Sequence, residues 1–314
     1  MKEALGPIQI RSMEKLSGGA IQENWHLQTV QGDYVLRTDA PSSLSTSHSR
    51  PEEFAILKVA FEAGVMAPKP VLQCQDPSII GAPFYLMEKA EGIAQARKIT
   101  RDANLPQIGR AIAQDLGQEL AKLHKITPPE PSLPFLDIPE NPAQRRIDGY
   151  RADLDNLPDG HPVIEFALNW LEDHQPKSQI IRLCHTDYRT GNYMIHQGRL
   201  TAILDWEFAS WSDPHEDLGW LCARCWRFGN DHLKVGGISD LEPFLNGYNS
   251  HADAPIDPSQ IPYWQIMAEV RWAVIALQQA DRCHAGETTL ELALTGPLAA
   301  EMEFNMLNLI ESQT

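Results

Sequence analysis

At 314 residues the chain is long enough for two lobes rather than one small core. Its 42 acidic and 26 basic residues give a formal charge of -16, which argues against nucleic acid and anionic membrane surfaces as main partners, since both are held through clustered Lys and Arg. With 43% hydrophobic and 22% charged residues, the composition is that of a folded globular protein.

Met1–Ile10 carries Lys2 and Glu3 and lacks an apolar run, so no export signal is expected there. Ile8–Ile10 reads as a strand and Ser17-Gly18-Gly19-Ala20 as a glycine-rich turn. A second strand spans Asn24–Val30, and Gln31-Gly32-Asp33 turns into a third over Tyr34–Arg37. Ala40–Ser49, rich in Ser and Thr, reads as a loop. Pro51 suits a first helical turn, Phe54, Leu57, Lys58 and Phe61 have helical spacing, and Gly64 can end the helix. Val71–Gln73 and Pro83–Met87 complete the set of strands, followed by a connector at Glu88–Gly92.

Beyond the connector the pattern turns helical. Ile108, Ile112, Leu116, Leu120 and Leu123 form an amphipathic stripe that ends at His124, read as a packed or capping histidine. The proline-rich stretch Thr127–Pro142 reads as a linker and Val163–Asp173 as a helix. Ile180–Leu183 and Tyr193–Ile195 flank Asn192 as short strands, followed by Leu200–Leu204. From Pro262, Tyr263, Met267, Val270, Val274 and Leu277 again follow helical spacing; Glu269 and Arg271 within this run exclude a membrane span.

The five cysteines, Cys74, Cys184, Cys222, Cys225 and Cys283, are odd in number and scattered, which suggests reduced thiols in a cytoplasmic protein. Cys222 and Cys225 form a CxxC without a second pair. Beside Leu218–Leu221 they read as small residues of a buried helix rather than a metal site. Trp206, Trp211, Trp220 and Trp226 read as packing residues.

The densest chemical signal is His185-Thr186-Asp187-Tyr188-Arg189-Thr190-Gly191-Asn192, followed by Ile203-Leu204-Asp205-Trp206-Glu207. Asp187 and Asn192 lie five apart across a polar turn; Asn192 and Asp205 lie thirteen apart, room for a strand, a turn and a returning strand. Such a hairpin would return Asp205 to the side of Asn192. Phosphoryl transfer needs this kind of set. Metal ions neutralise the phosphate oxygens, and a separate carboxylate accepts the proton of the attacking hydroxyl. Asp and Asn offer the oxygen ligands that magnesium prefers.

These segments, with Asp213-Pro214-His215-Glu216-Asp217-Leu218-Gly219-Trp220 after them, resemble the aminoglycoside phosphotransferase and choline kinase-like family, a relative of the protein kinases. The resemblance implies an α+β, two-lobed, protein-kinase-like fold. Residues 1–89 would form a nucleotide-binding lobe, an antiparallel sheet with one helix, and residues 90–314 a mainly helical lobe with the catalytic loop and substrate pocket. It implies ATP and Mg2+ as cofactors, Asp187 as catalytic base, Asn192 and Asp205 as metal ligands, His185 as a partner inside the catalytic loop and Asp217 as its brace. Ser17, Gly18, Gly19 and Ala20 would cover the phosphates. Arg37 would contact phosphate with Glu53 as its helix partner, and Met87, Glu88 and Ala90 would hold adenine. Arg189 would reach phosphate or lie on the surface.

Two departures stand out. Arg37 replaces the usual Lys of the third strand, a planar fork in place of a point charge, and the phosphate loop has only Gly18 and Gly19 of a full GxGxxG. The acceptor is expected to be a hydroxyl of a small molecule. Asp137, Glu140, Asp148, Asp153, Asp155 and Asp159, with the acidic residues after Asp240, are compatible with a cationic or sugar-like compound or with plain surface acidity. The alternative function is a catalytically silent nucleotide-binding module. A protein kinase fits less well, because Trp206-Glu207 stands where Phe-Gly would follow Asp205.

Overall fold

The structure is a computed structural model that describes residues 9–16, 22–39, 47–177, 180–287 and 289–313. Five antiparallel strands form the first sheet in the order β1-β2-β3-β5-β4: β1 Ile10–Lys15, β2 Gln22–Thr29, β3 Asp33–Asp39, β4 Pro70–Cys74 and β5 Phe84–Glu88. The first strand differs from expectation. It runs over Ile10–Lys15, further along the chain than the expected Ile8–Ile10, of which Ile8 lies outside the described residues, and only Ser12 along it is even partly buried. As an edge strand it is held by its ladder to β2, a signal that side-chain patterning does not carry.

Helix α1, Arg50–Glu62, packs on one face of this sheet. Pro51 sits in its first turn, and Ser49 and Glu52 form a reciprocal capping box. It buries Arg50, Glu53, Ile56, Leu57, Val59 and Ala60. Phe61, 36% exposed, and Lys58 lie outside that face, so the stripe inferred from Phe54, Leu57, Lys58 and Phe61 is rotated from the true one. Two buried charges, Arg50 and Glu53, account for the misreading, since apolar periodicity cannot register a buried ion pair.

After β5 come α2 Ala96–Thr100, α3 Leu105–Leu123, α4 Pro142–Asp155 and α5 Pro162–Asp173. Helix α4 has a weak apolar stripe; its signal is Asn141, whose side chain accepts from Gln144 N at 2.9 Å, with Pro142 next. Then follow β6 Arg182–Cys184, β7 Tyr193–His196, β8 Arg199–Ile203 and β9 Ser210–Ser212. Strand β6 pairs with β9, whereas β7 and β8 form the hairpin. The remaining helices are α6 Pro214–Cys222, α7 Leu241–His251, α8 Ile261–His284, α9 Leu290–Thr295 and α10 Ala299–Glu311.

One apolar core runs from the sheet into the helices, from Val35, Ile56, Leu57, Tyr85 and Met87 to Ile112, Leu116, Leu183 and Trp206. A second core joins α4, α5, α8 and α10 around Ile147, Leu168, Met267 and Met306. Helix α6 approaches α8 closely at Gly219, where a β-carbon would run into the backbone of Trp264. Among the described residues no helix is long and apolar enough to cross a membrane.

Candidate active site

The centre of the site is a loop between β6 and β7 whose conformation is fixed from below. Asp217, fully buried at the start of α6, accepts His185 N on Oδ2 at 2.8 Å and Thr186 N on Oδ1 at 2.6 Å. His124 Nε2 lies 3.0 Å from Asp217 Oδ2, and its Nδ1 lies 2.9 Å from Tyr248 Oη. His124 is thus packed into the support of the loop. His124, Cys184 and Asp217 bring three ligand-type atoms within 4.8 Å of one another, but both oxygens of Asp217 are already engaged by N–H groups.

This support holds a strained turn. Thr186 has φ 56°, in the left-handed region, and is fixed by Asp217, by its own Oγ1 donating to Phe208 O at 2.5 Å, and by Arg271 donating to its carbonyl. Gly191, φ 116°, completes the turn before Asn192; a β-carbon there would lie 2.9 Å from Arg189 Nη1. His185 accepts Asp187 N on Nδ1 at 3.2 Å, so its Nε2 carries the proton donated to Leu204 O at 2.8 Å. One imidazole therefore ties the backbone of Asp187 to the residue before Asp205.

The three central residues do come together. Asn192 Nδ2 donates to Asp187 O at 3.0 Å and to Asp187 Oδ2 at 2.5 Å. Leu204 N donates to Asn192 O at 2.8 Å, and the β7–β8 register pairs Tyr193 with Ile203, which returns Asp205 beside Asn192. Asp205 itself has φ 71°. Asp187 Oδ1 accepts two further bonds, from Arg189 Nε at 3.0 Å and from Trp220 Nε1 at 2.7 Å. Arg189 is neither a free surface side chain nor remote from the site.

Arg37 stands on the helix-facing side of β3. Its Nη2 lies 2.9 Å from Glu53 Oε1 and also pairs with Asp205 Oδ1. Burial pushes the Asp205 carboxyl up, but the Arg37 guanidinium outweighs it and holds the group below the usual carboxylate range. Glu53 is shared. Arg50 also pairs with it, while Arg50 Nε lies 2.9 Å from Asp39 Oδ1 and Nη2 lies 3.7 Å from Glu207 Oε2. Burial first, and the neighbouring Asp205 charge second, push Glu207 up to about 7. Met87 and Glu88 end β5, where Glu88 N already donates to Lys69 O at 2.9 Å; Ala90 follows outside the strand. Ser17, Gly18, Gly19 and Ala20 lie outside the described residues.

The sequence matches the phosphotransferase enzyme family over residues 12–255, most of the chain and all of the geometry just described except Arg271. The chain belongs to this family. Among curated proteins it is 32% identical over 236 residues to acyl-CoA dehydrogenase family member 10 of Mus musculus, covering 71% of this chain and 21% of that protein. It is 29% identical over 222 residues to acyl-CoA dehydrogenase family member 11 of Gallus gallus, covering 68% and 28%. The chain thus spans about a quarter of the length of these relatives.

Solved structures share the kinase-like fold. A putative aminoglycoside phosphotransferase from Ralstonia eutropha superposes with a TM-score of 0.79 at 23% identity, over 98% of this chain and 93% of that one. An amicoumacin kinase bound to AMP-PNP and Ca2+ gives 0.65 at 17% identity, over 95% and 89%. A choline/ethanolamine kinase family protein from Mesorhizobium loti gives 0.59 at 18% identity, over 98% and 89%. This member of the phosphotransferase enzyme family therefore has an α+β, two-lobed, protein-kinase-like fold.

Three contacts escaped the sequence. Trp220, read as packing, donates to Asp187. Arg50 competes with Arg37 for Glu53. Arg271, in α8, reaches the carbonyl of Thr186 across 85 residues of chain. For Arg271 the only signal was a cation inside an apolar run of its helix, and nothing marked Arg50 among the charges of its own helix or Trp220 among its three neighbours.

Proposed function

We propose that the chain transfers the γ-phosphate of ATP, with Mg2+, to a hydroxyl group of a small molecule. The observation that carries this reading is the contact between Asn192 and Asp187 with Asp205 alongside, in a chain of the phosphotransferase family. Asp187 orients the acceptor hydroxyl and takes its proton. The acceptor oxygen bonds to the γ-phosphorus as the bond to the β,γ-bridging oxygen breaks, and ADP leaves.

The donor set fits magnesium. The amide Nδ2 of Asn192 is used on Asp187, which leaves its oxygen for a cation, and Asp205 adds a carboxylate that the Arg37 charge keeps ionised. Asn192 and Asp205 would hold the ion, whose charge would neutralise phosphate oxygens. Arg37, oriented by Glu53, contacts the α- and β-phosphates. Residues 17–20 cover the phosphates, and Met87, Glu88 and Ala90 hold adenine. Residues 1–89 then serve as the nucleotide lobe and 90–314 as the catalytic and acceptor lobe, in a cytoplasmic protein whose five cysteines are unpaired.

AMP-PNP in the amicoumacin kinase supports ATP as the donor. The test is thermal stabilisation by ATP and by GTP, each with and without Mg2+, followed by turnover against hydroxyl compounds. ATP should stabilise most strongly with metal, and Asp205→Asn should remove the metal dependence. Equal stabilisation without metal, or an Asp205→Asn protein that behaves as the parent, defeats the metal assignment. Nucleotide binding without transfer to any acceptor would favour the silent-module alternative.

A further inference from the structure

The wall beside Asp187 is aromatic, and its own arginines already occupy it. Trp220 and Trp226 meet edge to face with centroids 5.2 Å apart. The guanidinium carbon of Arg271 lies 4.3 Å from the Trp220 ring centre, and that of Arg189 lies 4.3 Å from the Trp226 ring centre. Trp220 donates to Asp187 Oδ1, and Arg189 Nε donates to the same oxygen. Both guanidiniums are thus within one side chain of the proposed base.

Their charge balance differs. Arg189 shares the charge of Asp187. Arg271 is half-buried, donates to the carbonyl of Thr186, and has no carboxylate within 4.0 Å among the described residues. A guanidinium is always protonated and offers five N–H donors. The carbonyl of Thr186 and the rings of Trp220 and Phe208, the latter 6.0 Å away, leave its charge unneutralised. The acids that dominate the composition do not supply the deficit. Asp137, Glu140, Asp148, Asp155, Asp159, Asp240, Asp253, Asp257 and Asp281 are all exposed, and the buried Glu269 bonds instead to Arg224 N at 3.1 Å and Asn305 Nδ2 at 3.3 Å.

We propose that the acceptor is an anion, a hydroxyl compound bearing a carboxylate or a phosphate, and that Arg271, with Arg189, holds that group while the hydroxyl faces Asp187. This rests on the phosphotransfer reading above. A cationic acceptor would meet two guanidiniums on ring faces that are already filled, whereas an anion gains charge-assisted, bidentate bonds there. Arg271 is a specificity-determining residue in this scheme.

The experiment uses the full chain with ATP and Mg2+. Hydroxycarboxylates and hydroxyalkyl phosphate esters are compared with neutral alcohols and amino alcohols of matched length, by turnover and by thermal shift in the presence of AMP-PNP and Mg2+. Anionic members should bind and turn over best, and the two anionic arms separate carboxylate from phosphate. Arg271→Gln should lower kcat/KM for the anionic acceptor by about 10- to 100-fold more than for the neutral alcohol, the loss common to both reporting the Thr186 bond and the difference, carried mainly by KM, reporting the anion contact, while Arg271→Lys should recover part of that difference. A purely structural Arg271 would lower both acceptors equally and leave their ratio fixed, which would overturn the proposal. So would a panel in which only neutral or amino alcohols bind or react, or in which no anionic member does either. Phosphate transfer to any member of the panel reads the phosphotransfer assignment separately: if it occurs while the anion preference is missing, only the acceptor proposal falls.

Discussion

The loop around Asp187, proposed as catalytic, and the charge network around Arg37, proposed to face the nucleotide, are built on different physics. Under the loop, one buried carboxylate, Asp217, is saturated by two backbone N–H groups and the His124 ring, and His185 bonds to backbone at both ring nitrogens. On the nucleotide side, Arg37, Arg50, Glu53, Asp205 and Glu207 form a buried network of charges in which Glu53 serves two arginines. The first arrangement fixes one geometry, because each bond has a single directed partner. The second can redistribute partners when phosphates and a metal arrive, because ion pairs constrain direction less than they constrain charge. In the proposed phosphotransfer the first would hold the base in place and the second would let the cations change partners.

The sharpest way to break this comparison is at the base. Asp187→Asn should lower kcat by roughly 10²- to 10⁴-fold, the usual contribution of a positioned general base, with ATP affinity retained. Steady-state kinetics and nucleotide titration separate the two; an unchanged kcat would reassign the base. Asp217→Ala should cost about 3–5 kcal/mol of stability in denaturant unfolding, because it leaves two backbone N–H groups and His124 buried without their acceptor. A loss well under 1 kcal/mol would mean that the loop is held elsewhere.

Glu269 provides the contrasting buried carboxylate, bonded to one N–H and one amide but paired with no cation among the described residues. Burial pushes it up to about 7, above an ordinary value of 4.5. Between those values the folded state keeps a proton that the unfolded state has released, so stability should fall as pH rises through the window and stay low above it. Glu269→Gln should flatten that decline and gain roughly 1–3 kcal/mol at pH 8 relative to the parent. Identical pH profiles would show that Glu269 is not held protonated. The smallest effect belongs to Trp220→Phe, which removes one donor to Asp187 and keeps an aromatic ring. A loss in kcat of about threefold to tenfold is expected, with ATP affinity unchanged.

Much of the site was legible because its parts lie close together in the chain. The spacing from His185 to Asn192 and on to Asp205 already contains the turn and the β7–β8 hairpin, so local geometry carries Asp205 back to Asn192. The pairing of Arg37 with Glu53 came from the family resemblance and not from spacing, and the two side chains do meet. What was misread lies at long range. β6 closes with β9 rather than beside β7, α1 turns a charged face inward, and Trp220 and Arg271 acquire their partners only when distant elements pack.

The amino-acid sequence by itself determined the family and brought Asp187, Asn192 and Asp205 into one set, through residue chemistry and short spacings that local hydrogen bonding obeys. Only the tertiary structure decided what surrounds that chemistry. It set which oxygen of Asp187 is engaged, which acid each arginine meets, and where the surplus positive charge of Arg271 lies. The physical reason is that pattern and spacing report a residue's own element, whereas a buried charge is defined by whichever partner the fold brings to it.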